Sequence, residues 1–294
     1  MTYMKKLDKI YKSANQINID DKSKIILMSD CHRGDGSWAD DFARNQHLYF
    51  AALNYYYDNN FTYIELGDGD ELWENKSMEP IKKNHSDVFW MLSRFYKEKR
   101  FYSIYGNHDI VKSREKFNRK QLSTYLDEPS DTQVPLFPNI KIPEALILNY
   151  RPTGRKIFLV HGNQVDPINS TFWPISRFLV RYFWRSVELF GIKNPTRTGE
   201  NNEKREKIER KLIRWVKKNN IMMVAGHTHR PVFPRKGQPL YFNDGCGIHP
   251  RCITGIEICD GEMMLIKWYV ATKPDGTMYV SRKVLAGPRR LAEL

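Results

Sequence analysis

The 294-residue sequence predicts an α/β protein, on three observations. Short β-branched or apolar runs recur along the chain, the intervals between them carry helical periodicity, and each run ends on a cluster of Gly, Asp, Asn or His. Alternating strands and helices packed in layers produce that rhythm.

In chain order the runs are KIILMSD (24–30), FTYIELGD (61–68), FYSIYGNHD (101–109), KIFLVHGN (156–163) and IMMVAGHTH (221–229). Between the first two, Trp38 to Asp58 sets Phe42, Tyr49, Phe50, Leu53, Tyr56 and Tyr57 at roughly helical spacing and reads as a packing helix. Residues 110–140 begin as a basic helical piece, VKSREKFNRK, and continue as the turn-rich LDEPSDTQVPLFPN. The runs PLYFNDG (239–245), CITGIEI (252–258) and MMLIKWYVAT (263–272) follow closely through Gly-containing turns, as antiparallel hairpins do, so a second sheet is expected.

In FWPISRFLVRYFWRSVELFGI (172–192), Arg177, Arg181 and Arg185 fall four apart and form one stripe on a helix, with aromatic and aliphatic residues over the rest. Its four charges argue against a transmembrane span. It reads either as a core helix with one solvated face or as a substrate cap or membrane-surface helix, in which Arg177 and Arg181 would contact an amphiphilic phosphate. The next helix, EKREKIERKLIRWVKKNN (203–220), turns Ile208, Leu212, Trp215 and Val216 to one side. With no repeat and no linker, the chain is expected to form one domain over 1–294 carrying a helical cap insertion over 165–220.

Lys and Arg number 47 against 34 Asp and Glu, a net charge of +13, which calls for an anionic partner: a phosphate ester, a nucleic acid or an acidic membrane surface. The N-terminal MTYMKKLDKIYKSANQINIDDKS holds no apolar run of signal-peptide length, so a cytoplasmic location is expected, with peripheral membrane or lipid contact through 172–192. The four cysteines include no CxxC pair, which excludes a redox motif and a disulfide framework. Cys246, His249 and Cys252 lack the usual zinc spacings, and buried small thiols are the better reading.

The chemistry concentrates at five strand ends: SDCHRG (29–34), LGDGDELW (66–73), YGNHD (105–109), VHGN (160–163) and AGHTHRP (225–231). Ligands of open α/β sheets bind where such ends meet. Five of the eight histidines lie in these motifs, too many for a set of unrelated turns. In an extended segment residues i and i+2 share a face, so Asp30 and His32 can share a metal; His227 and His229 would do the same, unless a turn aims them at two ions. Mixed carboxylate, amide and imidazole ligands suit Mn²⁺, Fe²⁺ or Zn²⁺. Two such ions about 3.5–4 Å apart make hydroxide available and clamp phosphoryl oxygens, so the expected substrate is phosphorylated and anionic.

The order D-x-H, G-D, G-N-H-D, H-G, G-H-x-H over residues 30–229 resembles the calcineurin-like metallophosphoesterase superfamily. The resemblance implies a four-layer αββα sandwich with a dinuclear centre, Mn²⁺ foremost, at the strand ends. It implies Asp30, His32 and His229 on one metal, Asn107, His161 and His227 on the other, and Asp68 bridging both. His108 would contact the phosphate and protonate the leaving oxygen, with Asp109 orienting it, as metal-activated hydroxide attacks phosphorus in line. Arg33 is a candidate phosphate clamp. NDGCGIHPR (243–251) resembles the family's Asn-x-Gly loop and makes His249 and Arg251 candidate substrate contacts.

GDGDELW and IYGNHD lack the two arginines that protein Ser/Thr phosphatases of the superfamily carry. DNA-repair nucleases share GNHD and GHxH, and the positive charge suits a polyanion, but no nucleic-acid module accompanies it. UDP-2,3-diacylglucosamine diphosphatases, which cleave a lipid-linked pyrophosphate, are similar in GDGDELW, in GHTHRP and in a helical insertion between the HG and GHTHRP motifs that holds acyl chains. His108 and Asn163 depart from that branch, which carries Arg and Asp there. The expected function is hydrolysis of a phosphodiester or pyrophosphate bond in a lipid-like or nucleotide-linked substrate. A nuclease and a non-catalytic metal-binding scaffold are the other readings.

Overall fold

The computed structural model describes residues 2–127, 130–166, 177–178, 180–181 and 202–294; most of the predicted cap and of the 172–192 segment lies outside them, Arg185 of its arginine stripe included. The first sheet is five-stranded, in the order β1 (Asn15–Ile19), β7 (Ala145–Tyr150), β8 (Arg155–Val160), β9 (Met222–Ala225), β10 (Tyr241–Asn243). The second is six-stranded, in the order β13 (Met278–Arg290), β12 (Glu262–Thr272), β11 (Cys252–Cys259), β2 (Ile25–Met28), β3 (Thr62–Leu66), β4 (Phe101–Ile104). A hairpin of β5 (Thr124–Asp127) and β6 (Thr132–Pro135) stands apart. Strands β2, β3 and β4 run parallel, as do β8, β9 and β10, so each sheet gathers C-terminal strand ends along one edge.

Side chains that alternate along each strand sort into three cores. Ile25, Leu27, Ile64, Leu66, Ile256 and Ile258 meet Leu146, Leu148, Ile157, Leu159, Met222 and Val224 between the sheets. The opposite face of the six-stranded sheet, with Ile26, Met28 and Tyr63, packs on Tyr49, Leu53 and Tyr56 of α2 (Gln46–Asp58) and on Phe89, Leu92 and Phe95 of α4 (Ser86–Lys97). The far face of the five-stranded sheet, with Ile147, Phe158, Val160 and Met223, packs on Leu7 and Ile10 of α1 (Tyr3–Ser13). It also covers Ile208, Leu212, Trp215 and Val216 of α6 (Asn202–Asn219), the residues whose spacing predicts that helix. The layers are therefore α, β, β, α, as the resemblance implies, and short helices α3 (Glu79–Asn84) and α5 (Glu115–Gln121) lie in the connections.

Three expectations change. The helix predicted from Trp38 begins only at Gln46, because the Asp40 carboxylate accepts the N–H groups of Gly36, Phe42 and Ala43 and holds that stretch as turns. The run 239–245 forms no hairpin with its successor: Tyr241–Asn243 pairs parallel with β9, whereas β11 pairs antiparallel with β12 and β2. Strands β1 and β13 carry little apolar signal because they are sheet edges and stay largely exposed. Cys31 and Cys246 are buried thiols, and Cys252 and Cys259 are half-buried. Among the described residues, no helix is long and apolar enough to cross a membrane.

Ile256 is fully buried between the sheets, so Ile256→Ala should cost about 2–5 kcal/mol of stability, read from the midpoint of urea unfolding.

Candidate metal centre

The strand ends are laced together by their own backbones. Asp30 N–H donates to Gly67 O (3.1 Å), His32 N–H to Asp68 O (2.9 Å), Arg33 N–H to Gly69 O (3.0 Å) and Glu71 N–H to Arg33 O (3.0 Å), zipping the loop after β2 to the loop after β3. His227 N–H donates to Asp30 Oδ2 (2.8 Å), tying the two sheets. The motif glycines leave room for this crowding: a Cβ on Gly106 would lie 2.2 Å from Asp68 Oδ1, and one on Gly226 would lie 2.2 Å from Ser29 Oγ.

Asp30, His32, Asp68, His227 and His229 all take positive φ, between 48° and 66°. The extended D-x-H and H-x-H of the sequence reading are thus replaced by turns of left-handed residues. That conformation costs on the order of 1–3 kcal/mol per non-glycine residue and persists where surrounding structure imposes it.

The turns bring the side chains into two groups. Ligand atoms of Asp30, His32 and His229 lie within 4.8 Å of one another, and so do those of Asp68, His161 and His227. His229 Nε2 is 3.0 Å from Asp30 Oδ1, and His161 Nε2 is 3.0 Å from Asp68 Oδ2. Asp68 Oδ2 also stands 3.9 Å from His32 Nε2, between the groups. The two histidines of GHTH therefore divide between the groups rather than sharing one.

Among the described residues, the buried polar atoms that lack a hydrogen-bond partner include Asp30 Oδ1, His32 Nε2, both amide atoms of Asn107, His161 Nε2 and His227 Nε2. Burying such an atom unpaired costs about 1–3 kcal/mol, and a cation among them removes that cost. The tautomers agree. His32 Nδ1–H donates to Glu71 Oε2 (3.0 Å) and His161 Nδ1–H to the Leu66 carbonyl (2.9 Å), so in each ring Nε2 is left as the acceptor a metal requires. The residues present fit bound divalent metal.

Without metal the same groups hold one another by charge. Burial alone would raise the Asp30 carboxyl, but His229 and His161 hold it well below the carboxylate range. His161 is depressed by burial and raised more strongly by Asp68 and Asp30, to about 9. Burial pushes His227 down. Beneath Asp30, Ser29 Oγ lies 2.8 Å from Asp244 Oδ1 and also bonds the Asp30 carboxylate; burial, then the charge of Asp30, drives the Asp244 carboxyl well up.

His108 stands beside the first group with its ring fixed on three sides. Its Nδ1–H donates to Glu71 Oε1 (2.8 Å), its face stacks on Trp73 (4.2 Å between centroids, 21°), and its edge meets His32 (4.5 Å, 85°). The expectation that Asp109 orients this ring is corrected. The Asp109 carboxylate turns inward, accepting the N–H groups of Gly106 (2.7 Å), Gly69 (3.2 Å) and Asp68 (3.3 Å) and pairing with Lys112. Glu71 holds both His108 and His32, a role that the sequence reading missed although GDGDELW is one of the motifs that carry the resemblance.

Two of the substrate-contact candidates, Arg33 and Arg181, are engaged by protein groups. Arg33 is 1% exposed; its Nε meets Asp70 Oδ1 (2.7 Å) and its Nη2 meets Glu65 Oε1 (2.8 Å), so its charge serves the fold rather than a phosphate. Lys112 Nζ joins Asp70 (2.6 Å) to Asp109 (2.8 Å), completing a buried network of five charges below the centre. Arg181 donates to backbone carbonyls of Leu72, Trp73 and Asn75. Arg177 is half-buried. His249 and Arg251 are exposed on the loop after β10, and neither bonds the ligand groups among the described residues.

A family model described as calcineurin-like phosphoesterase matches residues 23–231. Similar solved structures include Vacuolar Protein Sorting 29 from Cryptosporidium parvum, 16% identical, with 90% of this chain and 98% of that chain covered and a TM-score of 0.37. Vps29 of Chaetomium thermophilum is 9% identical, with 90% and 93% covered and a TM-score of 0.37. No curated protein sequence matches.

Three outcomes are expected. Arg33→Met leaves Glu65 without its ion-pair partner and Asp70 with Lys112 alone, and should lose about 3–5 kcal/mol in urea unfolding. Burial alone would raise Asp70, but Arg33 and Lys112 lower it to about 2, so its stabilisation is present above the unfolded carboxyl pKa and fades as pH falls from about 4 to about 2; Asp70→Asn should flatten that limb of the stability curve. Metal must displace the His161 proton, so affinity for Mn²⁺ should rise with pH up to about 9, and calorimetry in buffers of different ionisation enthalpy should register proton release.

Proposed function

Because this chain belongs to the calcineurin-like phosphoesterase family, we propose that it is a metal-dependent hydrolase of a phosphodiester or pyrophosphate bond. The observation that carries the reading is the match between the buried atoms left without hydrogen-bond partners and the ligand atoms the strand-end motifs supply. Asp30, His32 and His229 would hold one divalent ion, Asn107, His161 and His227 a second, with Asp68 shared. Ions held there, Mn²⁺ foremost and Fe²⁺ or Zn²⁺ as substitutes, would supply activation of water and neutralisation of phosphoryl oxygens.

The protein's own groups do the rest. Glu71, an acceptor only, keeps the Nδ1–H of His108 engaged, so the ring acts as the imidazolium, and the second proton, on Nε2, is the one handed to the leaving oxygen. Trp73 and His32 confine that ring so that transfer needs no search for orientation. Asp109 positions the backbone N–H groups on either side of Asp68 and at Gly106 rather than touching His108. The net charge of +13 draws an anionic substrate. The likeness in GDGDELW and GHTHRP favours a nucleotide-linked or lipid-linked pyrophosphate, its lipid end served by the 172–192 segment.

Metal-stripped protein reconstituted with Mn²⁺ and offered a phosphomonoester, a phosphodiester, single-stranded DNA and a nucleoside-diphospho-lipid should cleave the diester or the pyrophosphate. Preference for DNA would transfer the assignment to a nuclease, and failure on all four would leave a metal-binding scaffold. His108→Ala should lower kcat by about 10²–10⁴-fold with metal content unchanged; activity that survives it would remove the acid role from this residue.

A further inference from the structure

Resting on the phosphoesterase reading, we infer that Arg181 is a positioning residue: it clamps the 71–75 turn and, through Trp73, sets the angle of His108. That turn carries both partners of the catalytic ring, Glu71 on Nδ1 and Trp73 on its face. Its inner bonds are local. Glu71 Oε1 accepts Trp73 N–H (3.1 Å) and Glu74 N–H (3.4 Å), and the Glu71 carbonyl accepts Asn75 N–H (3.2 Å) and Nδ2–H (3.0 Å).

Three of the turn's other carbonyls converge on a single group from more than a hundred residues downstream. Arg181 Nε donates to Trp73 O (2.9 Å), and its Nη2 donates to Leu72 O (2.8 Å) and Asn75 O (2.9 Å). A guanidinium offers its donors in a rigid plane, which three carbonyls of one turn can match; an ammonium on a flexible stem cannot hold all three directions at once. The contact joins the segment around Arg181, in the interval between the HG and GHTHRP motifs, to the loop that holds the proton donor. Loss of the clamp frees Trp73 to shift, and a displacement of about 1 Å at a catalytic group costs up to about 10²-fold in rate.

The sequence reading of Arg181 as a phosphate contact makes the opposite kinetic forecast, so one set of variants separates the two. Arg181→Gln and Arg181→Lys, prepared in the full chain with Mn²⁺ and assayed on bis(4-nitrophenyl) phosphate, should each lose on the order of tenfold in kcat while KM stays within about twofold. Amide hydrogen exchange should quicken within 71–75, with bound Mn²⁺ unchanged. Arg181→Gln added to Trp73→Leu should cost little beyond Trp73→Leu alone, since the clamp acts through that ring. A raised KM with kcat kept and activity restored by Lys would overturn the inference, as would unchanged exchange in 71–75 or additive losses in the double variant. Wild-type protein that cleaves nothing would sink the phosphoesterase reading, while exchange at 71–75 would still decide whether Arg181 holds the turn.

Discussion

Buried polar atoms that make no hydrogen bond among the described residues are the constraint around which the strand ends are built. Asp30 Oδ1, His32 Nε2, the Asn107 amide, His161 Nε2 and His227 Nε2 lie at the strand ends, and none finds a hydrogen bond among the described residues. Such an arrangement is expensive in a bare protein and economical around a cation. Its supports run outward from there: Glu71 and the Leu66 carbonyl fix two ring tautomers, Asp109 gathers three N–H groups under Asp68, and the left-handed turns aim side chains that a straight strand would point apart.

Below the centre, Arg33, Lys112, Glu65, Asp70 and Asp109 form a second tier of buried charge. Charges removed from water are retained only when paired, and here each cation spans two carboxylates contributed by the β3 strand and the loops that follow β3 and β4. The tier therefore joins the same strand ends that supply ligands above it. Its geometry explains why the Arg that follows D-x-H turns away from the crevice although its position in sequence suggests a phosphate contact.

The αββα layering was legible because alternation along Ile25–Met28, Arg155–Val160 and Met222–Ala225 sends apolar side chains to both faces, and only helices on both outer sides can cover them. The edges were less legible. Strand β13 keeps most of its residues in solvent, so burial leaves no pattern to read there, and the pairing of Tyr241–Asn243 with β9 is a long-range choice that neighbouring turns do not encode. Roles assigned from adjacency failed in the same way: Asp109 is next to His108 in the chain, yet Glu71 reaches it.

Residue types and their order determined by themselves that Asp, Asn and His would meet at parallel strand ends, because a parallel strand must deliver its chain to one edge. They also determined the family. Which carboxylate holds which imidazole, that His227 and His229 serve different groups, and that Arg33 and Arg181 are engaged by protein rather than open to substrate were decided only by the tertiary structure. Hydrogen-bond reach is set by the distance between loops in space, and backbone turns of positive φ change the direction of a side chain without changing its place in the sequence.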